Sequence, residues 1–267
     1  MKAYKFKSFS SGSCGNCYYL GIFSEEGECE CGVLIDAGVS PRRLKKELAA
    51  EGLDYTCFED ILITHDHLDH IRSLGSYCKH LQKRVWTTKI LSARLKRHFV
   101  TGEYFAPVSH ILDEAWTEIV PGRIKVKYFI VPHDATQTVG YAIALDSYKF
   151  VIMTDIGRIT SQALSFASGA DTVVIESNYD LEMLRKGPYP KELQDRICEG
   201  HGHLSNDQCA EAVKQFRHEK LRNVFLCHLS EHNNTPQKAF NTTRPHLDPA
   251  TRLVALPRQT ASPLFNL

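Results

Sequence analysis

Within the short run Thr64-His65-Asp66-His67-Leu68-Asp69-His70 lie two imidazoles, then a carboxylate and a third imidazole, all of a kind that binds metal ions. The run follows apolar Ile61-Leu62-Ile63, which reads as a short buried strand. In extended backbone, residues two apart project to one side, so His65 and His67 can share one ion. The chain is expected to turn into a helix near Ile71, which would swing Asp69 and His70 towards a neighbouring ion. Imidazole combined with carboxylate suits Zn²⁺, with Mn²⁺ or Fe as substitutes. A His-rich surface turn would need neither the apolar strand ahead of it nor Asp69 at that spacing.

Three further ligand-type residues stand where apolar runs end. His133 follows Phe129-Ile130-Val131-Pro132, Asp155 follows Phe150-Val151-Ile152-Met153-Thr154, and His228 follows Val224-Phe225-Leu226-Cys227. A lone histidine after a strand is usually a turn residue. Three such tips beside the first cluster predict one cleft in which all converge.

The elements that must position these tips are legible from alternation and caps. Residues 4–9, 17–22 and 32–35 read as strands separated by Gly-rich breaks. A helix follows, with Ser40 as N-cap, Pro41 at its first position and Gly52 beyond its end. Segments 61–64, 124–131, 139–145, 148–154, 171–176 and 223–227 read as further strands. Ser205 and Gln208 form a capping box that opens another helix. Two successive strand-rich halves predict two sheets packed face to face with helices outside, in a single domain over residues 1–267.

Composition fits a globular chain: 267 residues, 43% hydrophobic and 24% charged. A net charge of +1 excludes a polycationic nucleic-acid coat but leaves room for local basic patches. No apolar run reaches the roughly 18 residues of a membrane span. The alternating run from Met1 to Lys7 lacks the apolar core of a signal peptide, so a cytoplasmic location is expected. Nine scattered cysteines are then expected to be reduced thiols. Cys14, Cys17, Cys29 and Cys31 offer a formal four-thiolate set, but the second pair is tightly spaced and the first lies in a Ser/Gly turn.

His-x-His-x-Asp-His, followed by a strand-end His, a strand-end Asp and a final strand-end His, resembles the signature of the metallo-β-lactamase superfamily. That resemblance implies a four-layer αββα sandwich of the α/β class holding two divalent metal ions. It implies that His65, His67 and His133 hold one ion, that Asp69, His70 and His228 hold the other, and that Asp155 bridges them. Asp36, in Leu34-Ile35-Asp36-Ala37-Gly38, matches an early buried Asp that braces ligands without binding the metal. The branch is narrowed by Ser11-Gly12-Ser13-Cys14-Gly15-Asn16, Pro132-His133-Asp134-Ala135, Glu176-Ser177-Asn178-Tyr179-Asp180-Leu181-Glu182-Met183-Leu184, Gly202-His203-Leu204-Ser205-Asn206 and His228-Leu229-Ser230-Glu231-x-Asn233-Asn234. Spread over most of the chain, these motifs resemble the YycJ/WalJ/VicX family. Asp66 departs from that pattern, where Glu is usual.

The family resemblance implies a metal-dependent DNA exonuclease of the 5′→3′ type, in which a hydroxide shared by the two ions attacks the phosphodiester. His203 then serves as the acid for the leaving oxygen, paired with Glu176, and Asp69 is counted among both the ligands and the catalytic groups. His201 and His232 are weaker candidates near His203. The segment between Asp155 and His228 is too short for the extra domain of β-CASP relatives, and a Cys adjacent to His228 rather than at the bridging position argues against β-lactam hydrolysis. DNA contacts are sought on two basic runs, Arg42, Arg43, Lys45 and Lys46, and Lys89, Arg94, Lys96 and Arg97, although solvated helix faces look the same. Tyr18 and Tyr19 are candidates for stacking a base. Other readings are a small-molecule phosphodiesterase or thioesterase on the same fold, and a regulatory protein whose metal site is structural.

Overall fold

A computed structural model describes residues 2–267, so Met1, the first residue of the N-terminal alternating run, lies outside it. The first half contains six strands, β1 (Ala3–Gly12), β2 (Gly15–Phe23), β3 (Cys29–Ile35), β4 (Asp60–Leu62), β5 (Arg84–Thr87) and β6 (Ser109–Ile111). The second contains β7 (Thr117–Val120), β8 (Ile124–Val131), β9 (Thr138–Leu145), β10 (Tyr148–Met153), β11 (Thr172–Glu176), β12 (Asn223–Cys227) and β13 (Arg252–Ala255). A last strand, β14 (Phe265–Asn266), returns to pair with β1. The result is two seven-stranded sheets, ordered β14-β1-β2-β3-β4-β5-β6 and β13-β12-β11-β10-β9-β8-β7.

Period-two alternation explains why the sheets stack. Tyr18, Leu20 and Ile22 of β2 face Phe150 and Ile152 of β10 and Phe225 of β12 in one apolar layer between the sheets. The intervening residues face outward. Cys17, Tyr19 and Leu34 meet helices α1 (Pro41–Ala49), α2 (Leu68–Ile71), α3 (Leu74–His80) and α4 (Lys89–Leu95). On the other side, Val151, Met153, Val173 and Leu226 meet α5 (Ser161–Ala167), α8 (Asn206–Phe216) and α9 (Pro236–Thr243). Helices α6 (Leu181–Lys186) and α7 (Lys191–Cys198) lie between β11 and α8 in the chain. This is the expected αββα sandwich.

Local signals acted as read. Ser40 accepts from Arg43 N, with Pro41 in the first turn, and the Ser205–Gln208 capping box is complete. The strand at 61–64 is shorter, Asp60–Leu62. The helix expected near Ile71 instead begins at Leu68, with His67 as its N-cap residue, which places Asp69 and His70 in its first and last turn. All nine cysteines are free, and the four in the formal thiolate set do not share a face: Cys17 packs outward and Cys31 against the inner layer. None of the described helices is long and apolar enough to cross a membrane.

Candidate metal centre

The seven candidate ligands meet at one end of the sandwich, where β4, β8, β10 and β12 deliver their tips. His65 follows β4, and its ring lies 4.7 Å from that of His67 and 5.3 Å from that of His133. These three offer ring nitrogens within 4.8 Å of one another, and so do the donor atoms of Asp69, His70 and His228. Asp155 stands between the two sets, with Oδ2 3.1 Å from His70 Nε2 and Oδ1 3.7 Å from His133 Nε2. A further grouping joins Asp155 and His228 to Glu176 and His203.

Neighbouring acceptors fix which nitrogen each imidazole presents. His70 Nδ1 donates to Asp36 Oδ2 at 2.7 Å, and His133 Nδ1 donates to Gly202 O at 2.8 Å. His228 Nδ1 donates to Glu176 Oε1 at 2.9 Å. Thr64 Oγ1 gives its proton to Asp36, so it accepts from His65 Nδ1 at 3.0 Å. Each ring thereby keeps a proton on Nδ1 and turns Nε2 inward, the nitrogen that a metal would take once it is free of a proton. Nε2 of His65, of His133 and of His228 are buried and have no hydrogen-bond partner. Unpartnered buried nitrogens are costly, and these three, each grouped with other imidazoles or carboxylates, fit cations.

Charge reinforces that fit. Burial opposes ionisation of His70, yet Asp155, Asp36 and Asp69 together hold it protonated well above the usual histidine range. His228 behaves alike: burial works against its charge, but Asp155, Asp69 and Glu176 lift it to about 10. His65 is pushed down by burial and by the neighbouring His70. A site that gathers protons in this way has an excess of negative charge that divalent ions can neutralise.

Backbone strain is concentrated here. Asp36, Asp155 and His228 have φ of 62°, 53° and 54°, a left-handed conformation that side chains rarely adopt. Each follows a strand and turns sharply, which sends Asp155 and His228 into the cleft and Asp36 behind His70. Such strain persists where surrounding contacts over-determine it, and it clusters at functional sites.

Several site residues were not singled out individually in the sequence. Asn16 Nδ2 lies 3.1 Å from Asp69 Oδ2 and 2.9 Å from His70 Nε2. Ser11 Oγ accepts from His228 N. The Ser-Gly-Ser-x-Gly-Asn segment is therefore a brace for the second set of ligands. Gly38 is obligatory beside it, because a Cβ there would lie 1.8 Å from Asp69 O and 2.5 Å from Asn16 N. Asn178 donates to His228 O, and Asn234 donates to the carbonyls of Ser177 and Asn178, so the later motifs knit the His228 turn in place.

His203 lines a cavity of about 410 Å³ that opens over His67, His133 and Asp155. Its Nδ1 is 2.7 Å from Glu176 Oε1, the same oxygen that receives His228. Burial disfavours a charged His203, but the Glu176 carboxylate and Asp155 more than offset that and raise it above the usual value. Glu176 also accepts from the backbone N–H groups of Ile156 and Leu204, so it is fixed from four sides.

Other expectations are corrected. Tyr18 and Tyr19 are fully buried and cannot stack a base. Arg43 donates to the carbonyls of Phe9 and Gln259, which ties α1 to the sandwich. Arg94 Nε lies 3.0 Å from Asp66 Oδ2, an ion pair that ties its helix to the ligand loop. His201 is exposed and absent from the cavity wall, whereas His232 lines it.

Comparison with known proteins identifies the family. Residues 32–228 match the model of the β-lactamase superfamily domain. Over 239 residues the chain is 30% identical to exodeoxyribonuclease WalJ of Streptococcus pneumoniae serotype 2, covering 90% of this chain and 86% of that protein. Exodeoxyribonuclease YycJ of Bacillus anthracis is 30% identical over 234 residues, 88% of this chain and 85% of the relative. Among solved structures, unliganded yeast PDE1 superposes with a TM-score of 0.71 at 14% identity over 99% of this chain and 100% of that one. The short form of human tRNase Z gives 0.60 at 17% identity, covering 98% of each chain. The chain belongs to the β-lactamase superfamily, in the family that includes the exodeoxyribonucleases WalJ and YycJ.

Proposed function

We propose that this chain is a binuclear metal-dependent phosphodiesterase that degrades DNA from an end, acting in the cytoplasm. The observation that carries the reading is the convergence of three unpartnered histidine Nε2 atoms with Asp69, His70 and Asp155 beside the His203–Glu176 pair. His65, His67 and His133 would hold one ion, Asp69, His70 and His228 the other, and Asp155 would bridge them. Zn²⁺ suits this donor set best, with Mn²⁺ or Fe as substitutes. When bound, two such ions neutralise charge on a phosphodiester and make water a nucleophile at neutral pH.

The residues of the chain divide the remaining work. Asp36 and Thr64 lock the tautomers of His65 and His70. Glu176 holds His203 through Nδ1, leaving Nε2–H to face the cavity as the proton donor to the leaving oxygen. The negative charge of Glu176 keeps His203 in its protonated form, which is the form a general acid needs. DNA is supported as substrate by the likeness to WalJ and YycJ over most of the chain.

A structural metal site in a regulatory protein needs only four closed ligands, and the number of donors here speaks against it. The size of the cavity keeps a small phosphodiester as the second reading. The deciding experiment is a substrate panel on chelated and metal-restored protein: end-labelled duplex and single-stranded DNA, RNA, a nitrophenyl phosphodiester, a thioester and a β-lactam. Progressive loss of DNA from an end, restored by metal, is expected. Cleavage of the small ester alone would favour the second reading.

A further inference from the structure

Helix α7 carries an apolar face that the protein core does not cover. Gln194 is its only buried residue, and Leu193 remains 37% exposed. Leu193, Arg196 and Ile197 follow the i, i+3, i+4 spacing of one helix face, and all three line the cavity above the metal centre. Tyr189, just ahead of the helix, lines it too, and its ring meets His232 edge-on at 6.2 Å. Arg196 reaches across the mouth to the Asp134 carboxylate, whose Oδ1 is 3.4 Å from His133 Nε2 and 3.8 Å from His67 Nε2. The helix and the residue ahead of it thus present an apolar and aromatic wall, with a cation standing at the edge of the ligand cluster.

We infer that this wall is the binding site for the terminal nucleotide of a DNA strand. The base and sugar lie against Tyr189, Leu193 and Ile197, and Arg196 exchanges Asp134 for a phosphate of the substrate. Charge matches a nucleotide, since Arg196 stands on Asp134 beside the ligands while Tyr189, Leu193 and Ile197 supply apolar surface to the same cavity. A cavity of about 410 Å³ lies near the lower end of the roughly 300–1,000 Å³ typical of small-molecule sites, which suits one nucleotide with the rest of the strand leaving through the open side. Contacts of this type follow the face of any base, so the site is sequence-tolerant. Each turnover then cleaves the bond joining the terminal nucleotide to the next: water adds to phosphorus, the ester oxygen leaves with a proton, and one mononucleotide is released.

The inference rests on the DNA-end reading above, and two arms of one experiment separate them. In the first, metal-loaded full-length protein is given duplexes whose terminal nucleotides carry a base or an abasic analogue. Mononucleotides are expected as the first product, with kcat/KM about ten-fold lower for the abasic end. In Leu193→Ser and Tyr189→Ala that penalty should shrink below about three-fold, while Arg196→Gln should raise KM for both ends and keep it. In the second arm, calorimetry compares binding of deoxyadenosine monophosphate with that of deoxyribose 5-phosphate, which needs no turnover. The nucleotide should bind at least about ten-fold more tightly, and Leu193→Ser should remove the difference. First products several nucleotides long, or an abasic penalty equal in wild type and variants, would overturn the nucleotide site while leaving the nuclease reading intact. Nucleotide-selective binding without cleavage of any DNA would keep the site and sink the nuclease reading. If the variants do not fold, the wild-type comparisons alone decide, and no preference for a base in either overturns the site.

Discussion

Each imidazole at the centre is made useful by an acceptor behind it, and each acceptor is itself held. Asp36 receives the Thr64 amide, the Thr64 hydroxyl and His70 Nδ1, so one carboxylate sets two ligands. Removing the proposed bridge should show how far ligands and acid are independent: Asp155→Ala should lose at least one metal equivalent and nearly all hydrolysis, measured by metal analysis and turnover. His203 calls for a different test. A sugar alkoxide leaves poorly, so a positioned acid should contribute about 10²–10⁴-fold, whereas nitrophenolate leaves without a proton. His203→Ala should therefore cripple DNA cleavage, largely spare a nitrophenyl phosphodiester and keep its metal. Equal losses on both substrates would make His203 a structural or phosphate-binding residue. The candidate ligands were legible because their side chains have few other uses at that spacing. Asn16 and Ser11 were visible only as members of a motif, since amides and hydroxyls serve in any turn and no spacing marks the partner they will meet.

At the scale of elements, the site depends on how closely backbones approach around the strand tips. Gly38 is the tightest case, packed against Asp69 O and Asn16 N. Gly38→Ala should cost about 1–3 kcal/mol through overpacking and weaken retention of the ion assigned to Asp69, His70 and His228. Urea unfolding and a metal-competition titration would check both, and a variant with wild-type retention of both ions would mean the loop relaxes freely. Strands β8 and β12 were readable to the residue because alternation or a continuous apolar run marks a strand buried in a sheet. Helix α7 was not, because Lys191, Glu192, Asp195 and Arg196 leave Leu193 and Ile197 as its only apolar pair on the cavity side. Its apolar face belongs to a cavity and not to the core, so it lacks the wide stripe that periodicity detects. Edge strand β14 has two residues and is defined by its pairing with β1, which no local pattern reports. The left-handed turns at Asp36, Asp155 and His228 also escaped, since local preference favours other conformations there and only the assembled site imposes them.

For the molecule as a whole, the centre lies on the seam between its halves. His65, His67, Asp69 and His70 come from the first sheet's loops, and His133, Asp155 and His228 from the second's. Ions held by both sets would staple the halves together, so they should stabilise the whole fold and not just the loops. Binding to the native state alone stabilises by about 4 kcal/mol when free metal is 1,000-fold above its Kd. The sign of the pH effect follows from the histidines. In the metal-free protein the carboxylates hold His70 and His228 protonated, the latter up to about 10, so both carry protons at neutral pH. Ligation requires those nitrogens free, so loading must expel protons, and metal affinity must fall as pH falls. Adding Zn²⁺ to chelated protein in weak buffer should acidify the solution, and the thermal midpoint gained on loading should be larger at pH 8 than at pH 6. A gain independent of pH, with no proton release, would mean that the ions do not displace protons from these imidazoles, and the assignment of His70 and His228 as ligands would fall.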